Sequence, residues 1–279
     1  MRIVVAYSTN DVAGAGAADK LIGLLRCRDV ALESVPRACL GLLAGREVYV
    51  AGFYEDVLYF DFLERTIDAD YYIVISRHSA ASGIRSLTVH HTGNPTPKAE
   101  YGGRPLELSV ANPPLALAIL RALRDVARER SLEGISVTYE VTHHGPTSLS
   151  KPLTFAEIGS TQSEWSDSTL QEVLARAVYT ALQSEERSCV ASVGVGGGHY
   201  AQQFTERAFN YGECYGHIIS RHVIKELRES PDFLRFIVEQ AVRKESTEVK
   251  RVVLEGKNPS YVKQVIAEVS RKYGIEIVE

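Results

Sequence analysis

The eight histidines of this 279-residue chain all fall between positions 78 and 222, and most sit where a short β-branched run gives way to a loop. The stretches are Ser76-Arg77-His78-Ser79, Val89-His90-His91-Thr92-Gly93-Asn94, Thr142-His143-His144-Gly145-Pro146, Glu157-Ile158-Gly159-Ser160 and Gly196-Gly197-Gly198-His199-Tyr200. Neutral imidazoles plus a carboxylate, with one position left for water, make a catalytic zinc site. His90, one of His143 and His144, Glu157 and His199 supply those ligand types. Adjacent strand residues point to opposite faces, so one member of each His-His pair is expected in a site while the other packs or hydrogen-bonds behind it. For any single histidine the alternative is an ordinary buried, hydrogen-bonded imidazole.

The Gly194-x-Gly196-Gly197-Gly198-His199 turn lies between a strand run and a helical pattern through Tyr200, Phe204 and Ala208. Amides exposed at such a turn can receive a phosphate, a carboxylate or a developing oxyanion. The spacing matches neither G-x-G-x-x-G nor a Walker A loop, and close strand-to-helix packing alone also calls for glycine. Glu157 ends the apolar run Leu153-Thr154-Phe155-Ala156, where a carboxylate is paired, metal-bound, acting as a base, or simply exposed at a strand end. Glu213, between Gly212 and Gly216, reads as a surface residue. No G-x-S-x-G elbow accompanies the serines, which makes a Ser-His-Asp hydrolase a minor alternative.

These residues need a frame. Strand-like runs recur at 3–7, 48–53, 71–75, 87–90, 135–141, 153–158, 189–193, 252–254 and 275–278. Between them Asn112-Pro113 opens a helix with the apolar stripe Leu115, Ile119, Leu123 and Ala127, and Gly134 lies beyond its end. Ser230-Pro231 and Asn258-Pro259 open two more, the last stopped by Gly274. The alternation implies an α/β three-layer sandwich around a mixed, largely parallel sheet. In such sheets ligands bind outside the carboxyl ends of the strands, so the histidine-bearing loops can converge on one cleft. No linker or composition shift divides the chain, which reads as one domain over 1–279.

With 45% hydrophobic and 24% charged residues, a disordered or low-complexity chain is excluded. The formal charge of -4 disfavours wrapping by a polyanion and leaves room only for local nucleic-acid contacts, for which Arg77, Arg85, Lys98, Arg104 and Lys151 are candidates. Cys27, Cys39, Cys189 and Cys214 form no C-x-x-C pair and are expected to be reduced thiols. The short apolar start fits no secretory signal, and no run spans a membrane, so a cytoplasmic protein is expected.

The motifs together, arriving in order over roughly positions 70–220 and ending with Gly216-His217, resemble the type-2 D-aminoacyl-tRNA deacylases of archaea and plants. The resemblance implies a phosphorylase/hydrolase-like fold related in architecture to peptidyl-tRNA hydrolases. It also implies zinc and hydrolysis of the ester joining a D-amino acid to tRNA, a chiral proofreading that removes D-amino acids. On that reading the partner is a tRNA acceptor end, with no membrane and no obligate protein partner. Zinc is then held by some of His90, His143, His199 and His217, and Glu157 or His144 is the general base. The Gly196, Gly197 and Gly198 amides bind the oxyanion, and Asn94 and His78 fall on the substrate side, Asn94 being equally explicable as a turn residue. Competing readings are another hydrolase or phosphorylase of similar fold, acting on peptides or nucleosides, and a tRNA-binding module without turnover.

Overall fold

In the computed structural model, residues 1–184 and 188–279 are described. The β-branched runs become strands β1 (Arg2–Ser8), β2 (Arg28–Asp29), β3 (Arg37–Leu43), β4 (Arg46–Phe53), β5 (Tyr71–Ser79), β6 (Ser86–His90) and β7 (Gly93–Asn94). They continue as β8 (Glu107–Leu108), β9 (Ser136–Tyr139), β10 (Leu153–Ser160), β11 (Val190–Val195), β12 (Glu213–Ile219), β13 (Arg251–Leu254) and β14 (Glu276–Val278). The helices are α1 (Val12–Leu25), α2 (Leu63–Thr66), α3 (Pro113–Glu129), α4 (Gln162–Trp165), α5 (Ser168–Gln183), α6 (Gln202–Tyr211), α7 (Arg221–Glu226), α8 (Pro231–Arg243) and α9 (Ser260–Tyr273).

Eight strands form a mixed sheet in the order β2-β3-β4-β1-β5-β10-β6-β9, parallel through β4-β1-β5-β10 and antiparallel where β10 meets β6. The last third of the chain builds a second, wholly parallel sheet, β12-β11-β13-β14. The expected α/β architecture with a largely parallel sheet is therefore present, but divided in two.

Alternation along the strands sorts the faces. Ile3, Val5 and Tyr7 of β1 and Ile73 and Ile75 of β5 enter one core with α1, α3 and α5, while Val4, Ala6, Tyr72 and Val74 enter another with Phe53, Phe60 and Leu63. The first core runs on into the small sheet through Ala191, Cys214, Tyr215 and Val253. The opposite face of that sheet packs Val193, Val195, Val252 and Leu254 against α7, α8 and α9. Sequence punctuation works locally: the Asn112 side chain accepts from the Leu115 amide to cap α3, and Gly274 closes α9 in the left-handed region at φ 66°. Gly14 of α1 lies so close to β5 that a Cβ would stand 2.6 Å from the Ile75 carbonyl oxygen.

Two expectations are corrected. Cys27 is bonded to Cys39 and Cys189 to Cys214, so all four thiols are consumed. Separations of 12 and 25 residues hide pairs that strand pairing brings to Cα distances of 5.6 and 5.8 Å. Glu213 opens β12 fully buried, taking two 2.7 Å hydrogen bonds from Arg207 and one of 3.2 Å from Arg251.

Candidate active site

The site lies on the face of the large sheet turned away from α1, α3 and α5, where apolar stripes become polar at the same two-residue repeat. Tyr72 and Val74 of β5 are followed by Ser76 and His78, and Leu153 and Phe155 of β10 by Glu157. Register places Glu157 beside Ser76 on one side and Thr88 on the other, with His90 two residues further along β6. Glu140, just past β9, continues the stripe from Thr138. Backbone pairing of Tyr139–Val141 with His199–Ala201 then carries His199 to the same place.

Two buried carboxylates meet five imidazoles there. Glu140 Oε2 stands 2.9 Å from His199 Nε2 and 3.4 Å from His143 Nε2, and its Oε1 3.2 Å from His78 Nδ1. Glu157 Oε2 stands 3.4 Å from His90 Nε2 and 3.7 Å from His78 Nδ1, and Oε1 accepts the Ser76 hydroxyl at 2.6 Å. The His144 ring closes the cluster against His90 and His143, at centroid distances of 4.9 and 4.4 Å. His144 adopts φ 45°, a left-handed conformation that a non-glycine residue keeps only when its surroundings hold it.

A carbonyl only accepts, so the contacts of His90 Nδ1 with His91 O, of His143 Nδ1 with Val141 O and of His144 Nδ1 with Gly145 O put the proton on each Nδ1. His143 and His144, held neutral, therefore present an Nε2 lone pair, whereas burial opposes the His90 charge but Glu157 and Glu140 outweigh it and raise its pKa. The His143 lone pair faces Glu140 Oε2, His90 Nε2 faces Glu157 Oε2, and neither His90 Nε2 nor either Glu140 oxygen has a hydrogen-bond partner among the described residues. Two lone pairs opposed in a buried site need a proton or a metal cation between them. Three sets, His90-His143-His144, His78-Glu140-His199 and His90-Glu140-Glu157, hold donor atoms within 4.8 Å of one another. Imidazole nitrogens with carboxylate oxygens are the donor chemistry of zinc, so these residues fit such an ion.

The electrostatics agree. Burial works against the Glu140 charge, but the imidazoles of His199, His90, His143 and His78 outweigh it and hold the carboxyl well below its usual range. Glu157, also opposed by burial, is lowered by His90. Burial drives His143 far down and, with His90, brings His144 to about 4, so both are neutral at pH 7.

Of the sequence-derived candidates, Glu157, His78, His90, His143, His144 and His199 come together. Both members of the His143-His144 pair enter the cluster, whereas in the other pair only His90 does. His91 donates from Nδ1 to Gly216 O at 2.7 Å and accepts the Asn112 amide at Nε2. His217 does not join them: its ring lies between Ser109 O, at 3.1 Å from Nε2, and the Thr142 hydroxyl, at 3.1 Å from Nδ1. Gly196 donates its amide to Ile219 O at 2.8 Å and is not free for an oxyanion, while Gly197 and Gly198 line a cavity. Asn94 lines the same cavity but spends its amide on Gly102 O at 2.7 Å. Sequence reasoning missed Glu140, whose signal was the two-residue continuation of Thr138 into a carboxylate.

The family model described as D-aminoacyl-tRNA deacylase matches residues 65–278. A D-aminoacyl-tRNA deacylase of Staphylothermus marinus is 41% identical over 256 residues, covering 91% of this chain and 90% of its own. One of Hyperthermus butylicus is 41% identical over 285 residues, covering 99% of each. The crystal structure of the conserved protein of unknown function AF0625 superposes with a TM-score of 0.88 at 30% identity, covering 100% of this chain and 94% of that one. A shared fold, matched end to end by relatives of one name, makes this chain a member of the D-aminoacyl-tRNA deacylase family.

Proposed function

We propose that this protein hydrolyses the ester between a D-amino acid and the 3′ end of tRNA, releasing both. The observation that carries the reading is the pair of buried carboxylates, Glu140 and Glu157, meeting five imidazoles that open on two cavities, in a chain of this family. The whole of 1–279 acts as one unit, since the cluster takes residues from the large sheet and from the turn after β11.

Zinc would be held by His90, His143 and His144 or by His78, Glu140 and His199, and when bound it supplies Lewis-acid polarisation and a water acidic enough to ionise near neutral pH. The chain's own groups do the rest. With His78, Glu140 and His199 holding the ion, His144, neutral with its Nε2 lone pair unused and lining both cavities, takes the proton from the attacking water. Glu157 keeps His90 in place and, with Glu140, offsets positive charge gathered in the cluster. Gly197 and Gly198 are the loop's remaining amides for the oxyanion of the tetrahedral intermediate. The proton then passes to the ribose oxygen as its bond to the carbonyl carbon breaks.

The test is incubation of purified protein with D- and L-aminoacyl-tRNA, with and without a chelator. Release of the D-amino acid, abolished by chelation, is expected. No release overturns the function, and chelator-resistant release removes zinc from it.

A further inference from the structure

The imidazole wall of His143, His144 and His199 lines two cavities at once, one of about 690 Å³ and one of about 580 Å³. Their linings differ in charge. The larger borders Lys98, Arg221 and Lys225 against Glu100 and Glu226, with Lys98 paired to Glu226 at 3.0 Å. The smaller borders Glu157 and Asp56 against Arg77, beside Val57 and Leu58; Asp56 accepts the Leu58 amide at 3.1 Å and faces the Arg77 guanidinium at 3.5 Å, and the cavity's third carboxylate, Asp11, is spent on the α1 cap and the Arg77 amide. By formal count of lining charges one cavity carries a cationic excess and the other an anionic one, and both border the same imidazole wall.

An aminoacyl-nucleotide ester has the same division: an ammonium and a side chain on the acyl side, a phosphodiester chain and π-faced bases on the other. Resting on the deacylase reading, we propose that the larger cavity receives the unpaired 3′ nucleotides and the smaller one the aminoacyl group, so that the scissile carbonyl lies at the imidazole wall. Tyr101, on the rim of both, is 64% exposed. Its segment is nonetheless fixed: the Gly145 amide donates to Tyr101 O at 2.9 Å, and a Cβ on neighbouring Gly102, at φ 73°, would stand 2.1 Å from Leu58 O. A large exposed ring on a fixed rim is a stacking surface for an unpaired base.

The assignment is tested with the metal-loaded protein by two measurements, affinity for deacylated tRNA, which has only the nucleotide half, and KM for D-aminoacyl-tRNA. Arg221→Glu with Lys225→Glu should weaken both about tenfold and flatten the salt dependence, with Lys263→Glu and Lys272→Glu together on α9 as the charge-matched control. Tyr101→Ala should weaken both, and Tyr101→Phe restore them. Asp56→Asn should raise KM at least fivefold more than it weakens tRNA binding. The proposal falls if the double reversal moves tRNA affinity no more than the control does, or if Asp56→Asn weakens deacylated tRNA as much as the reversal. Failure of the deacylase reading is visible separately, as absent turnover by the unaltered protein.

Discussion

Glu140 has an unexposed side chain and imidazoles of three histidines within 3.4 Å, so its charge is set against the whole cluster and not one partner. Glu140→Gln keeps the shape and removes the charge. Turnover of D-aminoacyl-tRNA should fall about 100-fold or more, with bound metal reduced by elemental analysis and the far-ultraviolet circular dichroism unchanged; unaltered turnover would count against this centre. Glu157 was legible because a lone carboxylate ending an apolar run is conspicuous. Glu140 was not, because Tyr139-Glu140-Val141 looks like any strand leaving a sheet, and only register against β6 reveals which way it faces. His217 erred the other way: a histidine beside glycine in a motif suggests a ligand, but its ring serves as a hydrogen-bonded spacer between Thr142 and Ser109.

Among the elements, β12 shows what a buried charge at a strand start does. Glu213 joins β12 to Arg207 of α6 and Arg251 of β13, and although burial opposes its charge, Arg207 and the Tyr215 hydroxyl hold its pKa below the usual carboxylate value. A carboxylate with a lowered folded pKa contributes stability above its unfolded pKa and loses it as pH falls through the folded one. Glu213→Gln should therefore cost about 3 kcal/mol near neutral pH, and much less under acid, when urea unfolding is compared at the two pH values. Strands and capped helices were readable because alternation and Asn-Pro or Gly punctuation act within a few residues. The partition into two sheets was not, since a strand run does not say whether it pairs with β10 or with β12. The conversion of Glu213 from surface residue to internal tie follows from that partition.

At the scale of the whole molecule the two disulfides restrain the unfolded chain. Closing loops of 12 and 25 residues should contribute about 3 kcal/mol each, so Cys27→Ser with Cys39→Ser, or Cys189→Ser with Cys214→Ser, should lower the denaturation midpoint measurably against the intact protein. The charge of -4 excludes a long basic track, and the excess positive charge at one cavity is the local exception that charge counting over the chain conceals. The pairing of Tyr139–Val141 with His199–Ala201 joins the end of the large sheet to the turn leaving the small one. The clustered carboxylates and imidazoles are thus fastened to a seam, and parting the sheets dismantles the cluster together with the core that runs across both. Heat inactivation should precede or coincide with the loss of ellipticity and never trail it.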